Sequence, residues 1–577
     1  METIKKINYL LDRKSKIKCI YLIFLIIGGS ICDLLGITII MPIVNLAMSS
    51  SDISDNYFAG LLMRVTGVTG KEEVLLVMIG ICIIIYIFKN IYLTFMNITL
   101  YNFSAETKRR TATRLLTAYL KQPYSFFLKK NSAELIRSIN DDVSNFYQVV
   151  LNVLFFCANG TTAIAIVICL LTINLSMTLT VAGVMFVCLL LIVFVVQRKL
   201  RDYGRGNQKY SGLMVQYIEQ AISGVKEIKI INSEKEFIRE YSDVCGKQTR
   251  CFVGWSILST LPKYIIEMFA IAAIMGYFGY NILFNSDYSS IMPELAAFVV
   301  AAYRLLPATN QTYGNINSII FYRASIDLVY NDIKQADNFS ENFSENRGLY
   351  EKIPFNECIL VKDVVYSYEG NDRKVLDGVN IRIEKGQSVA MIGPSGGGKT
   401  TMADIILSLL SPVSGNVLVD GKDVSENIWG FRSHLGYIPQ TIYLTDDTIR
   451  RNVAFGIEPG EIDDEKVMNA LKGAQLLDFI KTLPEGINTM VGERGARLSG
   501  GQRQRIGIAR ALYRDPDILV FDEATSALDN ETEKEVMKAV DSLAGEKTIL
   551  MIAHRLSTIE NCDVVYEVAD GKVTRKR

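Results

Sequence analysis

At 577 residues the chain exceeds the usual size of one domain, so at least two are expected. Basic and acidic residues both number 61, and a net charge of zero gives no bulk attraction to nucleic acid. Ten cysteines are scattered without CxxC spacing, which excludes a legible disulfide framework or zinc site; Cys32, Cys82, Cys157, Cys169 and Cys188 lie inside apolar runs and read as small buried residues.

The apolar runs fill roughly the first 325 residues, and the remainder reads as an α/β domain. A bilayer-spanning helix needs about 20 mostly apolar residues. Six segments qualify, near 18–48, 74–101, 145–173, 177–200, 252–284 and 291–325. The first is too long for a signal-peptide core and lacks a cleavage site, so it is read as a membrane helix. Lysines and arginines crowd alternate connections: Lys5, Lys6, Arg13, Lys14, Lys16 and Lys18 before the first span, Lys108 to Lys130 between the second and third, and Arg198 to Lys235 between the fourth and fifth. By the positive-inside rule these face the cytosol, as do both termini. The two long cytosolic connections are helical in pattern, and Tyr124–Ile136 and Val225–Phe237 are suited to docking on the second domain. Residues 50–72, on the outer side, fit either an amphipathic surface helix or an ordinary loop. A polar linker is expected over 331–356, dividing a 1–330 membrane domain from a 357–577 α/β domain.

In the second half, the strand-like run Ser388–Ile392 is followed by Gly393-Pro-Ser-Gly-Gly-Gly-Lys399-Thr400, which opens a helix. This is the context a phosphate-binding loop requires. Glycines let backbone N–H groups close around phosphates at a helix N-terminus whose dipole favours anions. Gly393, Ser395, Gly396, Gly398, Lys399, Thr400 and Thr401 form the expected ATP cradle, with Thr400 also a Mg²⁺ ligand. Further on, the apolar run Ile518–Phe521 ends in two carboxylates. Asp522 is placed to hold Mg²⁺, and Glu523 to polarise an attacking water. Leu498-Ser499-Gly500-Gly501-Gln502 is a serine–glycine turn opening another helix. His434 carries no motif and is expected at the surface.

The LSGGQ turn between a phosphate loop and a DE-ended strand resembles the signature of ABC transporters. That resemblance covers nearly the whole chain and implies an all-α six-helix transmembrane domain of exporter type fused to an α/β P-loop nucleotide-binding domain. It implies that Ser499, Gly500, Gly501 and Gln502 contact ATP held by an opposite subunit. It makes Gln440 the Q-loop glutamine that contacts Mg²⁺, Asp529 a D-loop residue, His554 the switch histidine at the γ-phosphate and Tyr368 the ring that stacks on adenine. Glu493 lies in a VGERG stretch similar to the coupling loop of exporters. One phosphate loop and one signature per chain imply a dimer, most simply a homodimer with two identical sites. ATP and Mg²⁺ are the expected cofactors.

Cargo is read from intramembrane charge, which costs about 2.5–3.5 kcal/mol per basic residue at mid-bilayer on insertion scales. Lys89, Lys263 and Arg304 stand out. At about 1.5 Å per residue they lie roughly 22, 31 and 20 Å from the outer ends of their helices. Two readings remain open for them: cations that meet an anionic headgroup, or partners in ion pairs, Lys263 with Glu267 one turn on and another cation with Asp33. The contexts Ile-Phe-Lys89-Asn, Leu-Pro262-Lys263-Tyr and Ala-Tyr303-Arg304-Leu-Leu-Pro307 are similar to the PglK-type flippases. This resemblance implies outward movement of a polyprenyl-pyrophosphate-linked oligosaccharide across a bacterial inner membrane. Two of the three cations are lysine, and Gln311 stands where that family can carry an arginine. A multidrug, peptide or other lipid exporter is the alternative on the same scaffold.

Overall fold

The computed structural model describes residues 2–39, 43, 46, 64, 70–284, 292–340, 352–370, 373–524, 530–553 and 559–577; the side chains of 37, 284, 292–297, 300, 301, 303, 304, 338–340, 530 and 532 are outside this description. The chain divides into two compact units, one of residues 1–122 and 129–343, the other of 123–128 and 344–577.

The first unit is helical because lipid offers no hydrogen bonds to an unpaired backbone. A short helix, α1 (Glu2–Leu10), precedes α2 (Arg13–Thr38). Next come α3 (Lys71–Leu120), the short α4 (Tyr124–Lys129) and α5 (Ser132–Arg137), and then α6 (Val143–Ile173). The rest are α7 (Leu175–Ser223), α8 (Val225–Ile231), α9 (Glu234–Phe284), α10 (Met292–Phe321) and α11 (Arg323–Ser340). Each of the six apolar segments is thus helical over its described residues. Among the described residues, five helices are long and apolar enough to cross a membrane. Their outward faces are apolar, Phe194 being 82% and Leu283 80% exposed, as lipid contact requires.

With little hydrophobic drive between helices in lipid, close approach relies on small residues. Gly28 and Gly29 sit where a Cβ would come within 2.2 Å of the Tyr92 hydroxyl and 2.8 Å of the Met96 sulfur. The Tyr92 hydroxyl donates to the Leu25 carbonyl at 3.0 Å, and Tyr86 donates to Gly36 at 3.0 Å, locking α2 onto α3. At Gly204, a Cβ would lie 2.0 Å from the Phe321 carbonyl, so α7 and α10 cross backbone to backbone.

Two expectations need correcting. Residues 331–340 are not linker: α11 runs to Ser340, burying Ile326, Val329, Ile333 and Ala336 at helical spacing beneath a polar majority. Residues 353–355 belong to the second unit, where Ile353 and Phe355 join the core. His434 is also not at the surface. It is 6% exposed, its Nδ1 lies 2.5 Å from the Asp517 carboxylate, and its Nε2 lies 2.7 Å from the Ile353 carbonyl. Its position just before one strand and beside the start of another creates this bridge, and nothing in the local sequence announces it.

The second unit holds two sheets. Strands β1 (Cys358–Tyr366), β2 (Leu376–Glu384), β4 (Ser414–Val419) and β5 (Lys422–Asp423) form an antiparallel sheet in the order β2-β1-β4-β5. The other sheet has β3 (Ser388–Ile392), β6 (Leu435–Ile438), β7 (Ile518–Asp522), β8 (Thr548–Ile552), β9 (Val564–Ala569) and β10 (Lys572–Arg575), in the order β10-β9-β3-β8-β7-β6. Its neighbours are parallel from β9 through β6, and only β10 runs antiparallel. Strands β7 and β8 are buried along their whole length, which explains their unbroken apolar runs.

Candidate functional site: the carboxyl edge of the parallel sheet and a polar cavity among the spans

In parallel sheets, ligands bind beyond the carboxyl ends of the strands. Here β3, β8, β7 and β6 are adjacent and parallel, so the segments that follow them share one edge. Those segments are the phosphate loop, the Asp522–Glu523 pair and the Gln440 turn, and β8 ends at the same edge. The strand order therefore gathers residues far apart in sequence. His554 and Asp529 themselves lie outside the described residues.

The loop after β3 leads into helix α12 (Lys399–Ile406). Gly393, Gly396 and Gly398 have φ of 143°, 77° and 101°, conformations that strain an L side chain. A Cβ at Gly393 would lie 2.1 Å from the Val568 carbonyl, and one at Gly397 would lie 2.6 Å from the same atom. The loop is thus seated directly on β9, and only glycine fits. Lys399 is 4% exposed and folds back over the loop, its Nζ donating to the Gly393 and Pro394 carbonyls at 2.9 Å each. Burial pushes its ammonium pKa down, against the pull of Glu523 and Asp522. Ser395, Gly396 and Thr400 are exposed, whereas Thr401 is buried and its hydroxyl shares a 3.0 Å hydrogen bond with that of Tyr368.

Asp522 is 8% exposed, and burial beside Glu523 raises its carboxyl above the usual range. The Tyr437 hydroxyl donates to Asp522 at 3.3 Å. Glu523 adopts a left-handed backbone with φ of 48°, and the Gln440 amide donates to its carboxylate at 2.8 Å. Gln440, Glu523, Asp522 and Lys399 are therefore one electrostatically linked group. Thr400, Gln440 and Asp522 supply oxygen donors of the hard type that Mg²⁺ favours, so the donor set fits that ion.

Sequence reasoning missed three neighbours. Asp404, one turn beyond Thr400 on α12, is held up to about 6 by burial and by Asp522. Tyr437 ends the β6 side of the cluster. Tyr124, within the expected docking segment, belongs to this unit, and its phenol is raised by burial and by Asp404, Tyr368 and Asp522. The helical spacing from Thr400 to Asp404 was a usable signal; the other two were not legible.

The signature turn caps helix α17 (Gly500–Leu512). (Helices α13 to α16 are Ile428–Arg432, Ile449–Val453, Asp464–Gly473 and Leu477–Thr482.) The Ser499 hydroxyl accepts from the Gln502 N–H at 3.2 Å, and the Ser499 N–H donates to the Gln502 side chain at 2.8 Å, a complete capping box. Among the described residues no hydrogen bond joins Ser499–Gln502 to the phosphate loop of the same chain.

In the first unit, Lys89 is 1% exposed and its Nζ lies 2.7 Å from Asp33, 5.2 Å from the centre of the Tyr86 ring, in space left by Gly36. Lys263 is exposed with its Nζ 5.9 Å from the Tyr264 ring, and no ion pair joins it to Glu267. The backbone of Arg304 lies in α10, but its side chain is outside the described residues. A cavity of about 690 Å³ opens among α2, α3, α6, α9 and α10, with Asp33, Asn97, Asn152, Asn159, Gln311 and Asn315 in its wall. Its described lining includes no lysine, arginine or histidine. The structure brings Asp33 to this cavity and sets Lys89 behind it.

With this geometry in place, comparison with known proteins is informative. The family "ABC transporter transmembrane region" matches residues 19–294, and "ABC transporter" matches residues 376–526. The "ATP-dependent lipid A-core flippase" of Francisella tularensis is 32% identical over 461 residues, 78% of this chain and 74% of the relative. The protein of that name from Dechloromonas aromatica is 33% identical over 397 residues, 68% of this chain and 66% of the relative. A solved structure described as a bacterial Atm1-family ABC exporter with ATP bound superposes with a TM-score of 0.75 at 22% identity, covering 97% of this chain and 94% of that one.

Proposed function

The chain belongs to the ABC transporter family as an ATP-driven exporter subunit, and from that premise we propose that it flips a polyprenyl-pyrophosphate-linked oligosaccharide from the inner to the outer leaflet. The observation that carries this reading is the polar cavity within otherwise apolar spans. Such a wall suits a hydrophilic headgroup and offers little to an apolar drug. The naming of relatives as lipid A-core flippases supports a lipid cargo.

In this reading two copies pair, and each ATP lies between the phosphate loop of one and Ser499–Gln502 of the other. Lys399 releases the loop carbonyls and turns to the β- and γ-phosphates. Tyr368 stacks on adenine. Thr400, Gln440 and Asp522 hold Mg²⁺, which when bound neutralises phosphate charge. Glu523 accepts a proton from the attacking water, oriented by the Gln440 amide, and His554 and Asp529 complete the γ-phosphate contacts from segments beyond β8 and β7. ATP binding closes the nucleotide-binding units and turns the spans outward, and hydrolysis resets them. The arginine- and lysine-rich connections support a reading in which both termini and the ATPase face the cytosol of a bacterial cell.

The test is ATP-dependent translocation of a fluorescent polyprenyl-pyrophosphate glycan in proteoliposomes, with Glu523→Gln as the inactive control. Movement that requires ATP and Glu523 is the expected result. Continued ATP hydrolysis without movement would reject this cargo.

A further inference from the structure

From the lining of the membrane cavity we infer that the transporter reads the sugar of its cargo rather than the phosphate, an inference that rests on the lipid-linked glycan reading above. Three features of the wall converge on carbohydrate. The first is its hydrogen-bonding chemistry. Asn97, Asn152, Asn159, Gln311 and Asn315 offer planar amides with donors and acceptors side by side, matched to hydroxyl and acetamido groups. Several of these groups are unspent. Among the described residues, the side chains of Asn97, Asn159 and Gln311 have no protein hydrogen-bond partner, and the buried Asn315 Nδ2 and Ser259 Oγ, both at the cavity, also have none. A buried polar group left unpaired costs about 1–3 kcal/mol, so the Asn315 and Ser259 atoms gain by meeting a hydroxyl-rich ligand, and the more open amides of Asn97, Asn159 and Gln311 stand ready to join them.

The second feature is aromatic. Tyr101 and Phe155 meet edge to face in the same wall, ring centroids 5.6 Å apart at 71°. Rings beside planar amides suit a pyranose, which has apolar C–H faces and a polar rim.

The third is charge. A pyrophosphate requires cations, but the only charged side chain in the described wall is the Asp33 carboxylate. The nearby lysine is already committed: Lys89 pairs with Asp33 at 2.7 Å and is sealed from the cavity at 1% exposure. The described wall thus offers a phosphate no cation and presents the Asp33 carboxylate as an acceptor for sugar hydroxyls. Asp33 is thus a cargo-contacting residue, and Lys89 is a positioning residue acting through it.

The full-length protein in proteoliposomes provides the test. ATPase stimulation is titrated with a polyprenyl-pyrophosphate oligosaccharide and with the same polyprenyl pyrophosphate lacking sugar. The glycosylated lipid is expected to half-stimulate at a concentration at least ~10-fold lower, corresponding to about 1.4 kcal/mol. The double variant Asn152→Leu/Asn315→Leu is expected to abolish that difference while leaving the response to the sugar-free lipid in place. Equal half-stimulating concentrations for the two lipids in the wild type would overturn the inference while leaving pyrophosphate-lipid flipping intact. A variant that shifts both curves equally would also overturn it. Should the variant fail to give a monodisperse protein, the wild-type comparison decides alone. If neither lipid stimulates or is moved, the lipid-linked glycan reading itself falls.

Discussion

The ATP site and the membrane cavity treat buried charge in opposite ways. At the carboxyl edge of the sheet, Asp522 and Glu523 stand side by side, Asp404 is nearby, and Lys399 is tied to loop carbonyls instead of to a carboxylate. The site is stocked with like negative charges that a bound cation such as Mg²⁺ would offset. In the cavity, one lysine and one aspartate cancel, and the rest of the described wall is neutral. A site for charge transfer from phosphate keeps its charges available; a path that must release its cargo into lipid benefits from hydrogen bonds that water can replace.

This contrast can be sharpened by removing charge from each region. Glu523→Gln should lower ATP turnover about 10²–10⁴-fold, the usual contribution of a general base, with little loss of thermal stability. A steady-state phosphate-release assay measures this, and turnover within a few-fold of wild type would move the base elsewhere.

Asp404 offers a pH test of the crowded carboxylates. Its carboxyl rises from 3.8 to about 6 in the folded chain because of burial and Asp522. The folded state therefore binds this proton more tightly than the unfolded state. The favourable contribution is complete below about pH 4 and lost as pH rises through about 6, a change of about 2 kcal/mol once the full ~3 kcal/mol of the shift is reduced for the group's partial exposure. Unfolding without nucleotide or Mg²⁺ should show wild type losing that much relative to Asp404→Asn between pH 4 and 7. A difference that stays flat with pH would mean that the carboxyl is not crowded.

A smaller effect belongs to Ser499. Its hydroxyl caps α17, so Ser499→Ala should cost about 1 kcal/mol of stability. If the same hydroxyl meets ATP on a second copy, ATPase activity should fall by more than the stability loss explains. Comparing the unfolding midpoint with turnover separates the two roles.

The same division marks what the sequence made legible. The phosphate loop, the Asp522–Glu523 strand end and the Ser499 turn each carry their chemistry within a few consecutive residues, so local pattern was enough. The six spans were legible because lipid demands long apolar runs. Lys89 and Asp33 are separated by a helix and a connection, and only the packing of Gly28, Gly29 and Gly36 against α3 brings them together. The amides of the cavity come from three different helices and look ordinary in each. His434 needed Asp517 and Ile353, which no local motif could supply. Helix α11 was obscured by polar residues that mask its apolar stripe.

The most direct test of the account is a double-mutant cycle at the cavity wall, reading both thermal stability and glycan-lipid transport in Lys89→Met, Asp33→Asn and the double variant. If Lys89 serves Asp33, Lys89→Met alone should lose about 1–3 kcal/mol by leaving the partly buried Asp33 carboxylate without its partner, and adding Asp33→Asn should recover most of it. Transport should remain impaired in the double variant, which lacks the carboxylate acceptor. The contrary result would be a Lys89→Met protein as stable as wild type but unable to move cargo, with no recovery of stability in the double variant. That outcome would make Lys89 a free cation meeting the pyrophosphate and would contradict a cavity that reads sugar.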